Sequence, residues 1–386
     1  MNSKPLPRNA TLDGVQILRF AAALAVVIHH AIEECLPLFG AAAPPVWLTL
    51  LGAAGVDVFF AISGFIMVHT GWAQFGAPGA GGRFLLRRAL RVYPLYWLVT
   101  GAILLLHASG LAFRSIDANG WNLAASFSLL PLGNPVLGVA WTLVFEIYFY
   151  CVFALWIGLG NRRAAMAGIG ISLLTVFAIA RAIGGAAGVA PWSVLASPMP
   201  LEFAFGMAVA LLWRVAPAAE PGVSAPDAPA AGMFTGRPAR SWLLLPALAA
   251  LALAAAMLPA DGTAGLLPGA RVWGWGLPAA LALWAGLAIA PRRRPLGRAL
   301  VALGDASYAL YLSHPFVMIA AAVAVKRAGS GAGRPALAWA AVAVLAAASV
   351  ALGWVVHRAV ERRLARWLKP RATGLPPAPR ASGRPA

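Results

Sequence analysis

Charge is what this sequence has least of. Of its 386 residues, 11% are Asp, Glu, Lys or Arg, against about 25% in soluble domains. Only 12 are acidic. So few charges cannot clothe a water-facing surface, and a soluble globular domain is excluded. Cysteine is nearly absent as well. Cys35 and Cys151 lie in or at the edge of apolar stretches, which excludes a disulfide framework and reads both as small buried residues. There is no convincing internal repeat, which counts against an inverted-repeat transporter.

What is there is apolar sequence in lengths that cross a bilayer. Hydrophobic residues make up 61% of the chain. Stretches near 14–35, 46–69, 92–108, 136–159, 164–182, 192–213, 241–258, 273–290, 300–325 and 336–358 are each long enough, or nearly so, to traverse ~30 Å of hydrocarbon. The expected fold is an all-α polytopic membrane bundle of about ten transmembrane helices. The third stretch is short, and 119–131 reads as a re-entrant or interfacial segment. Lys4 and Arg8 ahead of the first stretch resemble a signal-peptide n-region, but its length and its internal Arg19, His29 and His30 suit a retained helix.

The excess of basic residues (30 Lys and Arg, net charge +18) invites a nucleic-acid reading. The placement of those residues argues otherwise. They gather in short segments between apolar stretches, with no nucleic-acid motif, as the positive-inside rule requires. With the N-terminus inside, the inner segments take Lys4 and Arg8, Arg83 to Arg91, Arg162 and Arg163, Arg214 to Arg240, Arg292 to Arg298, and the tail from Arg358 onward. The outer segments take Arg114, Arg181, Arg271, Lys326, Arg327 and Arg334. The bias puts both termini in the cytosol, with the Lys326–Arg334 loop as the segment that opposes it. The chain then divides into a cytosolic segment (1–13), a membrane domain (14–358) and a cytosolic basic tail (359–386) that is Pro/Arg-rich after Pro370. Residues 214–240 form a flexible cytosolic Pro/Ala/Gly-rich loop.

Titratable side chains inside the membrane are costly and mark function by default. Arg19, His29 and His30 fall in the first stretch, Asp57 and Ser63 in the second, Glu146 in the fourth, Glu202 in the sixth and His314 in the ninth. Arg19 and His30 are eleven residues apart, about 20° beyond three helical turns, so they share a helix face about 16 Å apart. His29 points about 100° away and reads as a packing histidine. In the short inner loop RFLLRRALRVYP, Arg88 and Arg91 are three apart, a spacing that can grip phosphates if helical. With Arg19 they would form a cytosolic basic mouth. Ser307, Tyr311 and His314 recur at i, i+4 and i+7, one polar stripe assigned to the bundle interior.

The segments LDGVQILRFAAALAVVIHHA, VDVFFAISGFIM, RRALRVYPLYWL, AWTLVFEIYFY and SYALYLSHPF occur in this order. Together they resemble the successive signatures of the acyltransferase 3 family of integral-membrane O-acyltransferases. The resemblance implies transfer of an acyl group, acetyl by preference, from acyl-CoA to a hydroxyl of exopolysaccharide, O-antigen or a related glycan, with no metal. It makes His30 the essential histidine and general base, and assigns Arg19, Arg88 and Arg91 to acyl-CoA. It places Trp141, Glu146, Phe149 and Tyr150 in one signature, and Ser307, Tyr308, Tyr311 and His314 in the last. Glu146 or Asp57 would orient His30 or the sugar, with Ser63, Trp141, Tyr308, Tyr311 and His314 supporting. Direct transfer and an acyl-histidine intermediate both fit. The family's Glu-Arg-Pro near the end is here Glu361, Arg362 and Arg363. The chain resembles the single-domain members, in the bacterial inner membrane. A proton-coupled transporter or flippase using the same buried groups is the rival reading, although a carrier needs no phosphate cradle.

The charge bias makes a topological prediction. In a background lacking Cys35 and Cys151, single cysteines near 230 and 375 are shielded from an impermeant thiol reagent in intact cells, and one near 40 labels. Labelling of position 230 from outside would remove the ten-helix topology.

Overall fold

The computed structural model describes residues 12–44, 46–113, 116–183, 191–215, 272–287, 289, 295–328 and 334–373. Among these residues the chain is helical, with no strand. We number the helices α1 (Asp13–Leu38), α2 (Val46–Ala53), α3 (Gly55–Gly71), α4 (Ala80–Ala108), α5 (Gly120–Ser128), α6 (Trp141–Trp156), α7 (Arg162–Ile183), α8 (Trp192–Leu195) and α9 (Pro200–Val215). They continue as α10 (Leu277–Gly286), α11 (Pro295–Asp305), α12 (Ser307–Ala328), α13 (Pro335–Val356) and α14 (Arg362–Thr373). Eight helical segments among the described residues are long and apolar enough to cross a membrane. Leu105, Leu155, Ile171 and Val344 are more than half exposed on these segments, a surface that suits lipid and not water. The protein is a multi-pass helical membrane bundle.

The differences from the expected spans have local causes. The stretch at 241–258 lies outside the described residues. That at 273–290 is, among the described residues, helical over Val272–Gly286, a π-turn leading into α10. The arginine segment ahead of Pro94 is not a loop. α4 starts at Ala80 and carries Arg83, Arg87, Arg88 and Arg91 on its first turns, because Arg, Leu and Ala are good helix formers. The stretch at 300–325 is broken near Ala306, within the Gly-Asp-Ala-Ser run, into α11 and α12. The last span continues through a π-turn at His357–Glu361 into α14, so the start of the basic tail is helix.

The chain forms two compact units. The first comprises Met1–Phe65 and Leu201–His357, the second Ile66–Pro200 and Arg358–Ala386. In the first unit α1 is the shared partner: it packs against α2, α10, α11, α12 and α13. Val27, Ala31, Ile32 and Leu36 of α1 close a core with Leu310 and Met318 of α12 and Val342 and Leu345 of α13. The middle of α3 crosses α9 with no room for side chains. A Cβ on Gly64 would lie 2.0 Å from the Phe203 carbonyl oxygen, and one on Gly206 1.9 Å from that of Ala61. Such small-residue contacts let membrane helices approach closely.

In the second unit α4 packs against α6 and α14, and α6 against α7. The nine-residue α5 is too short to span. Side chains of α4 donate to the last carbonyls of α5, which lack the full set of intrahelical donors. Tyr96 OH donates to Ser126 O at 2.9 Å, Tyr93 OH to Ser128 O at 2.7 Å and Trp97 Nε1 to Phe127 O at 2.9 Å. Asn119 caps the other end, accepting from Asn122 N at 2.8 Å.

The α3–α9 crossing predicts that Gly206→Val is strongly destabilising. Overpacking costs about 1–3 kcal/mol, and contact with backbone leaves little room to relax. Thermal unfolding in detergent should show a clear fall in midpoint for Gly206→Val. Gly101→Ala should be tolerated, since nothing lies within 4 Å of its added Cβ.

Candidate functional site

The first unit brings two histidines together. α1 is one uninterrupted helix through Arg19 and His30, so the shared face stands, with about 16 Å of axial separation. Arg19 is buried, its Nη1 donating to Gln16 Oε1 at 3.1 Å. His30 is half-buried and faces α12. Its Nδ1 lies 3.0 Å from the Val26 carbonyl oxygen and 3.2 Å from His314 Nε2. His314 is fully buried, and its Nδ1 lies 3.3 Å from the Leu310 carbonyl oxygen. The two rings are tilted by 37° with centroids 5.0 Å apart. Among the described residues, no hydrogen-bond partner falls on His30 Nε2. Helical geometry explains the stacking of polar groups on α12: Ser307 and Tyr311 are buried on the His314 stripe, and the Tyr311 ring centroid is 6.0 Å from that of His314 and 6.0 Å from that of Phe59. Tyr308, one residue into the helix, is half-buried.

His29 turns elsewhere, as its 100° offset predicts. Its Nδ1 meets the Thr49 carbonyl of α2 at 2.8 Å and its Nε2 the exposed Glu33 at 3.4 Å. α2 reaches this position because Gly52 has no side chain: a Cβ there would lie 2.7 Å from His29 Cβ. His29, His30 and Glu33 are the group among the described residues whose donor atoms, all within 4.8 Å of one another, could converge on a cation. Asp57, in the first turn of α3, and Ser63 on the same helix are both buried in this unit. The ring bonded to His30 is that of His314, which the sequence reading placed among the supporting residues.

The second unit gathers the arginines. The guanidinium of Arg88 lies 5.6 Å from the Phe84 ring centroid and 5.8 Å from that of Tyr150, and its Nη2 is 3.4 Å from Thr70 Oγ1. Tyr150 OH donates to Glu146, so this carboxylate sits on the ring that Arg88 faces. A guanidinium over two aromatic faces with a carboxylate in reach is held by cation–π and charge attraction together. Arg91 is exposed. With Arg87, Pro94, Glu361, Leu364 and Leu368 it lines a cavity of about 230 Å³ where α4 meets the π-turn and α14. Arg88 and Arg91, paired by spacing in the sequence, therefore hold different surroundings. Arg87 is the neighbour of Arg91 at the cavity, and i, i+4 spacing was the available signal for it. Thr70 and Glu361 carried no such signal, since chain separation from α4 hides them. Trp141, at the start of α6, is 40% exposed and stands edge-on to Phe145 with centroids 5.9 Å apart.

Comparison with known proteins gives the site a context. A family model described as an acyltransferase domain matches residues 12–358. The chain is 31% identical over 333 residues, 82% of this chain and 90% of the relative, to the "Exopolysaccharide production protein ExoZ" of Rhizobium meliloti (strain 1021). It is 30% identical over 187 residues, 43% of this chain and 89% of the relative, to "Protein 2 in picA locus" of Rhizobium radiobacter. It is 29% identical over 241 residues, 56% of this chain and 61% of the relative, to "Acyltransferase MdmB" of Streptomyces mycarofaciens. No solved structure matches.

Proposed function

This chain belongs to the acyltransferase family, and from that premise we propose that it moves an acyl group from acyl-CoA to a hydroxyl of a cell-surface polysaccharide or lipid-linked glycan. A relative named for exopolysaccharide production, matched over most of both chains, supports a carbohydrate acceptor. Acetyl-CoA is the donor we assign. The observation that carries the mechanism is the state of His30: Nδ1 is engaged by Val26 and His314, while Nε2 has no described partner.

The reaction follows from that geometry. The acceptor hydroxyl gives its proton to His30 Nε2 as its oxygen attacks the thioester carbonyl carbon. The tetrahedral intermediate collapses, the C–S bond breaks, and the CoA sulfur takes the proton back from Nε2. The products are an ester and free CoA thiol. Donor-phosphate binding by charge-assisted hydrogen bonds is assigned to Arg88 and Arg91, and Arg19 is proposed as a donor contact on its own helix. The pantetheine arm lies along the Arg19–His30 face of α1, whose length of about 16 Å suits it. The protein sits in the bacterial inner membrane with both termini in the cytosol, where acyl-CoA is supplied.

Purified protein releases CoA thiol from acetyl-CoA only when a glycan acceptor is present, and polysaccharide from a deletion strain lacks the corresponding ester by mass spectrometry. Glycan transport in proteoliposomes without thiol release would replace this reading by a carrier. Two substitution experiments sharpen it. His30→Ala lowers kcat by about 10²–10⁴-fold, the range of a lost general base, at unchanged expression and membrane insertion. His29→Ala retains substantial activity; the opposite pattern removes His30 from the base role. Arg88→Ala and Arg91→Ala each remove charge-assisted hydrogen bonds, together worth about 1.5–3 kcal/mol, and raise the KM for acyl-CoA roughly 10- to 100-fold. Acceptor KM changes less. Unchanged acyl-CoA binding by calorimetry in the double variant would leave both as topological anchors.

A further inference from the structure

We infer that His314 is a positioning residue that fixes the tautomer of His30, so that the base in the acyl transfer is His30 Nε2. The inference rests on the reading of His30 as the base and goes beyond it, because it says which nitrogen acts and what selects it.

Carbonyl oxygens accept hydrogen bonds and never donate them. His314 Nδ1 lies 3.3 Å from the Leu310 carbonyl oxygen, so Nδ1 carries the proton. A neutral His314 therefore has its lone pair on Nε2. That lone pair lies 3.2 Å from His30 Nδ1, which also lies 3.0 Å from the Val26 carbonyl oxygen. Two acceptors converge on His30 Nδ1, so it too carries the proton, shared between them. One assignment satisfies all three contacts: Leu310 O accepts from His314 Nδ1–H, and His314 Nε2 accepts from His30 Nδ1–H. The lone pair left at the end of this series is on His30 Nε2. The partner ring of a working histidine commonly sets its tautomer in this way.

An imidazole also suits this place better than a carboxylate would. His314 is fully buried, inside a bundle with lipid around it. A carboxylate there would be a charge held out of water before any substrate arrived, which is costly. A neutral imidazole supplies the acceptor lone pair without that charge. When His30 Nε2 takes the acceptor's proton, the ring becomes positive and its Nδ1–H becomes a stronger donor. His314 Nε2 is then in place to stabilise it. No proton crosses to His314, and the proton on Nε2 leaves with the CoA sulfur.

The test separates the acceptor role of His314 from packing. His314→Leu removes the lone pair at similar volume, whereas His314→Gln places an amide oxygen near the Nε2 position. Expected for His314→Leu is a fall in kcat of at least tenfold with acyl-CoA KM within about twofold of wild type. His314→Gln restores most of kcat. In lipid bilayers, the nitrogen NMR spectrum of wild-type protein, assigned by difference against His30→Ala, should show His30 protonated at Nδ1 and unprotonated at Nε2. This measurement stands even if His314→Leu does not fold. A wild-type His30 protonated at Nε2 overturns the inference, as does a His314→Gln protein as slow as His314→Leu. If His30→Ala is inactive while folded His314→Leu keeps wild-type kcat, the positioning role alone fails and the base reading stands. If His30→Ala keeps wild-type kcat, the base reading itself fails.

Discussion

A polar side chain in hydrocarbon has no water to turn to, so each one dictates which helix must stand beside it. Much of this fold follows from that demand. The imidazole of His30 on α1 meets that of His314 on α12, and the apolar residues of α1, α12 and α13 close around the contact. The carbonyls at the end of α5 lack the full set of intrahelical donors, and Tyr93, Tyr96 and Trp97 of α4 donate to them. Apolar packing between helices supplies little direction in a bilayer, because lipid tails are as apolar as leucine. The hydrogen bonds and the glycine contacts at Gly64 and Gly206 supply the register instead.

The two compact units meet the cost of burying polar groups differently. Around His30 the groups in bonding contact are a second imidazole and backbone carbonyls. Around Arg88 they are charged or quadrupolar: a guanidinium over Phe84 and Tyr150, with Glu146 in reach. A base is useful only while its nitrogen is unprotonated, which favours a neutral setting. A guanidinium stays charged in any setting, so compensation must come from aromatic faces and a carboxylate. The proposed roles, a base at His30 and phosphate binding at Arg88, agree with the chemistry each environment permits.

The parts of the site that lie on one helix were legible in the sequence. Arg19 and His30 share a face because α1 runs unbroken between them, and His29 departs from that face for the same reason. The stripe of Ser307, Tyr311 and His314 was readable from period alone. What joins helices was not. The partner of His30 lies 284 residues away, and no periodicity carries that information. The arginines show a second kind of loss. Counting positive charges assigned them to a loop, yet nothing in RFLLRRALRVYP breaks a helix before Pro94, and α4 takes them all. Spacing then paired Arg88 with Arg91, while the aromatic faces of Phe84 and Tyr150 draw Arg88 one way and the α14 cavity takes Arg91 with Arg87.

The same 284-residue separation has a consequence for how the protein is made. Ribosomes add on the order of 5–20 residues per second, so α1 waits roughly 14–57 s for the residue that completes its histidine pair to be synthesised. During that interval the nascent chain holds Arg19 and His30 in or beside the membrane without α12. They must be sheltered by the insertion machinery, by water, or by provisional neighbours. A ribosome that stalls before α12 leaves a chain with the arginines of α4 made and its histidine pair unmade. Assembly order thus fixes when the site can form: the His30–His314 contact is made only after the chain has been synthesised through α12.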